Sequence, residues 1–232
     1  MKFAIIAAMH EECVCFRTQL NSPNSESYLN MQVNEAKWYD HEVVLIESGI
    51  GKVNATLAAQ HAIDHYKVDH IINTGSAGGI VEGAEIGDFV IADRVCHHDI
   101  DISPIGFEFG ELPKLPVYYE TDKTICQSLI NLCHSMKHTV HSGTIATGDT
   151  FVYQHQQLNS ISTRFNGVIA CEMEAAAVAQ VCHLFQKPFT MIRNLSDIAG
   201  EHAPINFQSY INQAGQESSQ LVLDFIKQLQ KA

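Results

Sequence analysis

Apolar residues in this chain fall into short unbroken runs, each ending in small or acidic residues and followed by a stretch with helical spacing. Phe3 to Ala8 is the first such run and predicts a buried strand; Glu11 to Leu20, with acids in its first turn, predicts the helix after it. Asn21 to Glu26, with Pro23, predicts a loop. Tyr28 to Val33, Lys37 to Tyr39 and Glu42 to Glu47 alternate or cluster as strands, and a helical run continues from Ser48-Gly49-Ile50-Gly51-Lys52 to about Tyr66. His70 to Asn73 predicts a strand ending in the small-residue loop Thr74 to Gly79. Phe89 to Ala92 and Val140 to Ile145 predict strands, and Thr124 to Met136 a helix. Phe207 and Tyr210 open a last helix running to the C-terminus.

The densest pattern runs from Ile169 to Asp197. An apolar run ends at Glu172-Met173-Glu174, a helical run reaches Phe185, and a second apolar run from Phe189 ends at Arg193-Asn194-Leu195-Ser196-Asp197. This strand–helix–strand order predicts two parallel strands lying close together through a right-handed crossover. Glu174 and Asp197 would then occupy equivalent carboxyl ends, where α/β folds place their ligand crevices. Two carboxylates there suit acid–base chemistry or sugar recognition. Taken alone, each position is nearer a structural reading, a helix N-terminal acid for Glu174 and a loop cap for Asp197. Glu12 stands at a third strand-to-helix edge, with the same alternative.

Composition narrows the partners. The 232 residues are 46% hydrophobic and 17% charged, as in a well-filled globule of one domain spanning 1–232. A net charge of −12 argues against nucleic acid or an anionic membrane as partner. No apolar run has the length of a membrane span, and Met1 to Met9 is short for a signal segment. Seven scattered cysteines without a Cys-x-x-Cys pair suggest buried thiols in a reducing cytoplasm. His97-His98-Asp99 is the one tight histidine group, and nothing nearby completes a zinc spacing, so neither metal nor cofactor is expected.

Other stretches remain open. Gly49 and Gly51 do not form a phosphate-binding loop of the Walker type, since the spaced first glycine is missing. They would let the backbone approach a ligand or a neighbouring strand. Thr74 to Gly79 could offer N–H groups and a hydroxyl to a polar ligand, or be a plain turn. Residues 97–119, with three prolines and four aromatics, predict an irregular excursion serving function or an interface. Phe151, after Thr147-Gly148-Asp149, could stack on a flat ring or belong to the core.

Taken in order, Ala8-Met9-His10-Glu11-Glu12, Ser48 to Val53, Asn73 to Gly78, His98-Asp99-x-Asp101, Gly148-Asp149-x-Phe151, Glu172-Met173-Glu174-Ala175 and Arg193-x-x-Ser196-Asp197 resemble the 5′-methylthioadenosine/S-adenosylhomocysteine nucleosidases of the nucleoside phosphorylase-like superfamily. The resemblance covers essentially the whole chain. It implies an α/β domain around a mixed, barrel-like central sheet flanked by helices, working as a homodimer. It also implies hydrolysis of the N-glycosidic bond of adenine thionucleosides, and of 5′-deoxyadenosine, with release of adenine. On the matching positions, Asp197 would protonate the purine and Glu12 would activate water. Glu174 would take the ribose hydroxyls, helped by Met173 and Ser76, and Arg193 would orient Glu12 or the water. Phe151 and Val152 would hold adenine, and Gly78 and Ser196 would also be substrate-binding. Met9, Ile50 and Phe207 would wall the sugar and the thioether, and Ile105 and Pro113 would reach in from the second subunit. Cys171 would pack behind the site.

Ile105 departs from the aromatic usual there, and this leaves the preferred 5′-substituent open, up to a larger nucleoside such as aminodeoxyfutalosine. His10, Thr147 and Asn194 also depart from the family pattern, none at a catalytic position. Two rivals remain. A phosphorolytic relative needs clustered cations, and of the four arginines only Arg193 lies in a motif. A non-catalytic nucleoside-binding protein on the same fold would be expected to lack one of Glu12, Glu174 or Asp197.

Overall fold

The protein is described by a computed structural model covering residues 1–22, 24–199 and 203–229. The first apolar run forms β1 (Lys2–Ala7) and leads into α1 (His10–Leu20). A meander of β2 (Asn24–Tyr28), β3 (Met31–Trp38) and β4 (His41–Glu47) follows, then α2 (Lys52–Asp64). Next come β5 (His70–Asn73), β6 (Ser76–Gly79) and β7 (Phe89–His97). The excursion after β7 contains one 3-10 turn, Ser103–Ile105, and ends in β8 (Tyr118–Glu120). α3 (Lys123–Ser135), β9 (Val140–Thr147) and α4 (His155–Arg164) precede β10 (Val168–Glu172), α5 (Ala175–Phe185), β11 (Phe189–Ile198) and α6 (Ala203–Gln228).

Among the described residues, an eleven-stranded sheet runs in the order β2-β3-β4-β1-β5-β11-β6-β10-β9-β7-β8. It closes on itself where β11 also pairs with β7, antiparallel through Ile192 and Ile91. The strands β11, β6, β10, β9 and β7 thus form a mixed five-stranded barrel. β1 sits between parallel β4 and β5, covered on both faces, and so reads as an unbroken apolar run. α2 and α5 pack on one face through Ala55, Ala59, Ala176 and Val178. On the other face α1, α3 and α6 pack through Phe16, Leu129 and Leu221. α5 is apolar on most of its circumference because it is buried on most sides.

Four expectations change. β10 and β11 are neither neighbours nor parallel: β6 lies between them, parallel to β11 and antiparallel to β10. Glu174 and Asp197 therefore do not share one edge of parallel strands; β6 draws them together, since Gly78 pairs with both Cys171 and Asp197. The stretch from Ser76 to Gly79 is a strand within the barrel, not a loop. The predicted loop from Asn21 to Glu26 ends in β2, an exposed edge strand paired only to β3; Pro23 lies outside the described residues, as do 230–232 at the end of the chain. Finally, Tyr28 to Val33 is broken by a turn at Leu29 and Asn30, with Leu29 at φ +53°.

Candidate active site

Glu12 lies in the first turn of α1 and folds back onto the chain before it. Its Oε2 accepts the N–H groups of Ala8 at 3.0 Å and Met9 at 3.1 Å, and its Oε1 accepts the N–H of Ser76 at 2.9 Å and the Ser76 hydroxyl at 3.0 Å. The carboxylate thus caps its own helix and also faces a cavity. It is 4% exposed. Burial pushes its carboxyl above the usual range, against the pull of Ser76, Met9 and the Arg193 charge. Gly75, at φ +146°, makes this approach possible, because a Cβ there would stand 2.5 Å from Glu12 Oε1.

The helix-start acid of α5 is Glu172 rather than Glu174. Glu172 Oε2 accepts the N–H groups of Glu174 at 2.9 Å and Ala175 at 2.8 Å, and Arg193 Nη2 at 2.6 Å. Thr147 donates its hydroxyl to the other oxygen and accepts the N–H of Ala176 at 2.9 Å. In the sequence Glu172 stands only as one of two adjacent acids. The preference for acids at helix N-termini pointed to this pair but could not say which member caps. With that task taken by Glu172, Glu174 turns its side chain to the cavity, where Oε1 accepts the N–H of Gly51 at 2.8 Å. Burial first, and then the neighbouring Glu172 charge, push the Glu174 carboxyl up.

Asp197 stands on β11, 2% exposed. The Ser196 hydroxyl donates to its Oδ1 at 2.8 Å. Gly78 leaves room for Oδ2, since a Cβ at Gly78 would come within 2.9 Å of it. Burial raises the carboxyl to about 6, opposed by the Ser196 hydrogen bond. Ser196 is thus engaged in holding Asp197.

These groups line one cavity of about 320 Å³, at the lower end of the usual range for small-molecule sites. Met9, Ile50 and Met173 contribute apolar lining, and Ser76, Gly78 and Ser196 also line the cavity. Phe151, Val152 and Phe207 close another side, with the two phenyl rings edge to face at 5.6 Å and 73°. Cys171 also borders the cavity, and burial holds its thiol far above its ordinary value, so it packs as a small apolar group.

Three predicted residues lie elsewhere. Arg193 is behind the cavity, 1% exposed, and makes no hydrogen bond to Glu12. Its guanidinium is bonded to Glu172, to Asn73 Oδ1 at 2.5 Å and to the Ile192 carbonyl at 2.9 Å; only its charge reaches Glu12. Ile105, 73% exposed, and Pro113, also exposed, are on the excursion between β7 and β8, outside this cavity.

The profile of the phosphorylase superfamily matches residues 2–227. A 5′-methylthioadenosine/S-adenosylhomocysteine nucleosidase of Bacillus subtilis is 40% identical over 232 residues, covering 99% of this chain and 100% of that protein. The S-adenosylhomocysteine nucleosidase of Streptococcus pyogenes, solved with 5-methylthiotubericidin, superposes with a TM-score of 0.95 at 36% identity, over 100% of this chain and 98% of that one. The S. pneumoniae 5′-methylthioadenosine/S-adenosylhomocysteine nucleosidase, solved with the transition-state inhibitor MT-ImmA, gives 0.94 at 40% identity, over 99% and 100%. Agreement of this extent in both sequence and fold places the chain in the 5′-methylthioadenosine/S-adenosylhomocysteine nucleosidases of the phosphorylase superfamily.

Proposed function

We propose that the chain hydrolyses the N-glycosidic bond of 5′-methylthioadenosine and S-adenosylhomocysteine, releasing adenine and the 5′-substituted ribose. The observation that carries this reading is the placement of two buried carboxyls, Asp197 and Glu12, both pushed up by burial, in one largely apolar cavity with Glu174. Glycosidic cleavage develops positive charge on the sugar while electrons move into the departing purine. Asp197, holding its proton through burial, gives it to N7 as the C–N bond breaks. Glu12, as the anion, takes a proton from the water that attacks C1′. Glu174 accepts the two ribose hydroxyls, and their donation with the cationic sugar draws its carboxyl toward the charged form. Phe151 stacks on adenine and the Val152 backbone meets the base edge, while Met9, Ile50 and Phe207 contact the sugar and thioether.

Attack by phosphate is disfavoured by charge. The described lining holds Glu12, Glu172, Glu174 and Asp197 and neither lysine nor arginine, so it offers an anion no cationic side chain. Adenine release from methylthioadenosine in phosphate-free buffer is therefore expected at full rate, with no sugar phosphate when phosphate is added. Release that requires phosphate would overturn the hydrolytic assignment.

The excursion carrying Ile105 and Pro113 serves the site of a second copy in this reading. Its support is that these two residues are exposed and outside the cavity of their own chain. Sedimentation should give twice the 25.7 kDa chain mass, and Ile105→Ala should change the ratio of rates on the two substrates. A monomer with full activity would remove the second copy from the site.

A further inference from the structure

Three motifs, Gly51-Lys52, His98-Asp99 and Gly148-Asp149, have no part in the chemistry above, yet they meet at one point. Lys52 Nζ donates to both oxygens of Asp99, at 2.7 and 2.8 Å. Asp99 Oδ2 also accepts the N–H of Asp149 at 3.0 Å, and Asp149 Oδ1 accepts the N–H of Lys52 at 2.8 Å. The ring is closed, and the residue next to it is Gly51, whose N–H is the one on Glu174 Oε1. We propose that Lys52, Asp99 and Asp149 form a latch that fixes the Gly51 N–H against Glu174 and so orients the carboxylate that takes the ribose hydroxyls. This rests on the ribose role given to Glu174 above.

The local backbone needs such a device. Gly51 is the N-cap residue of α2 and has no side chain with which to cap it, so Asp149 supplies the missing acceptor from across the fold. Gly51 is at φ +97°, and a Cβ there would stand 3.1 Å from Asp149 Oδ1. The turn is therefore built for close approach of Asp149 rather than for a self-capped helix. Burial alone would raise the Asp99 carboxyl; the Lys52 hydrogen bond, the Asp149 N–H and the Lys52 charge together bring it below its usual value, so it stays an anion.

Stability is a weak reason for this arrangement. Both partners of the ion pair are partly exposed, and such pairs typically contribute about 0–1 kcal/mol. Orientation is the stronger one. Two of the ring's bonds end on backbone N–H groups, one beside Glu174 and one beside the loop carrying Phe151. Lys52, Asp99 and Asp149 are positioning residues: none lines the cavity.

The test is a cycle between Lys52→Met and Glu174→Gln, read as kcat and KM for methylthioadenosine. In the otherwise native protein, Lys52→Met is expected to lower kcat/KM about tenfold, through a displaced carboxylate, and Lys52→Arg to recover most of the loss. With Glu174→Gln already present, Lys52→Met should cost less than about twofold more, because the two act through one contact. Thermal stability should move by no more than about 3 °C. An equal tenfold loss in both backgrounds, or a collapse in melting temperature that accounts for the loss, overturns the latch while leaving the ribose role standing. Full activity in Glu174→Gln alone removes the ribose role and the latch with it.

Discussion

Asp197→Asn is expected to slow adenine release by about 10²–10⁴-fold, the usual contribution of a positioned acid, while leaving nucleoside binding in place. The same change should make the protein more stable above pH 6. In the fold the carboxyl has a pKa of about 6, against about 3.9 in an unfolded chain, so the folded state binds the proton more tightly. The stability linked to that proton is fully present below about pH 4 and is lost as pH rises through about 6. Above that, the native protein carries a desolvated anion at a cost on the order of 2–3 kcal/mol. Asparagine keeps the shape and can accept the Ser196 hydroxyl without the charge. Its melting temperature at pH 8 should exceed that of the native protein by roughly 4–12 °C, with the gain gone at pH 4. In the native enzyme, kcat/KM should fall as pH rises through about 6, when the acid ionises in the free protein. Near-normal turnover in Asp197→Asn would take the acid role from this residue, and an unchanged melting temperature would say that its carboxyl is not desolvated.

The three acids were legible in the sequence because each follows an apolar run, and buried strands covered on both faces print as unbroken runs. β1 and the stretch from Ile169 to Asp197 are legible on that signal. What it could not carry was strand sense. β6 is Ser-Ala-Gly-Gly, with almost no side chain to reveal a strand; its neighbours β11 and β10 make it one. Without β6, the run from β10 to β11 reads as a simple parallel crossover, and the barrel is invisible. β2 is exposed along its whole length, so no alternation marks it. α4 buries only Ile161, too little for a periodic signal, and no element was predicted there. Within the site, what the sequence leaves open is assignment rather than detection. Helix-start preference applies to Glu172 and Glu174 alike, and only the hydrogen bonds divide them. The resemblance has Arg193 orienting Glu12 or the water, but the carboxylate it bonds is Glu172 on β10, which lies beyond β6 in the barrel and which the parallel-crossover reading misplaces.

Arg193→Met is expected to destabilise the fold by about 3–5 kcal/mol, the usual result of removing one partner from a buried ion pair. Arg193 is the largest fully buried side chain in the described structure, and Glu172, Asn73 and the Ile192 carbonyl depend on it for donors. Methionine fills much of the volume but leaves the Glu172 charge to Thr147 and two backbone N–H groups. A fall in melting temperature of roughly 6–20 °C follows for a chain of this size. Activity should change in a second, separable way. The Arg193 charge pulls the Glu12 carboxyl down against its burial, so without it Glu12 holds its proton to higher pH. The limb of the pH profile on which the base must ionise should therefore move upward. Adding Glu172→Gln separates the two effects. With the unpaired charge gone, much of the stability should return, because a buried pair removed whole costs far less than a pair broken. The shifted limb should remain, since Glu12 still lacks its distant cation. A double variant that regains the native pH profile along with its stability would mean that Arg193 serves only the fold, and that the Glu12 anion owes nothing to it.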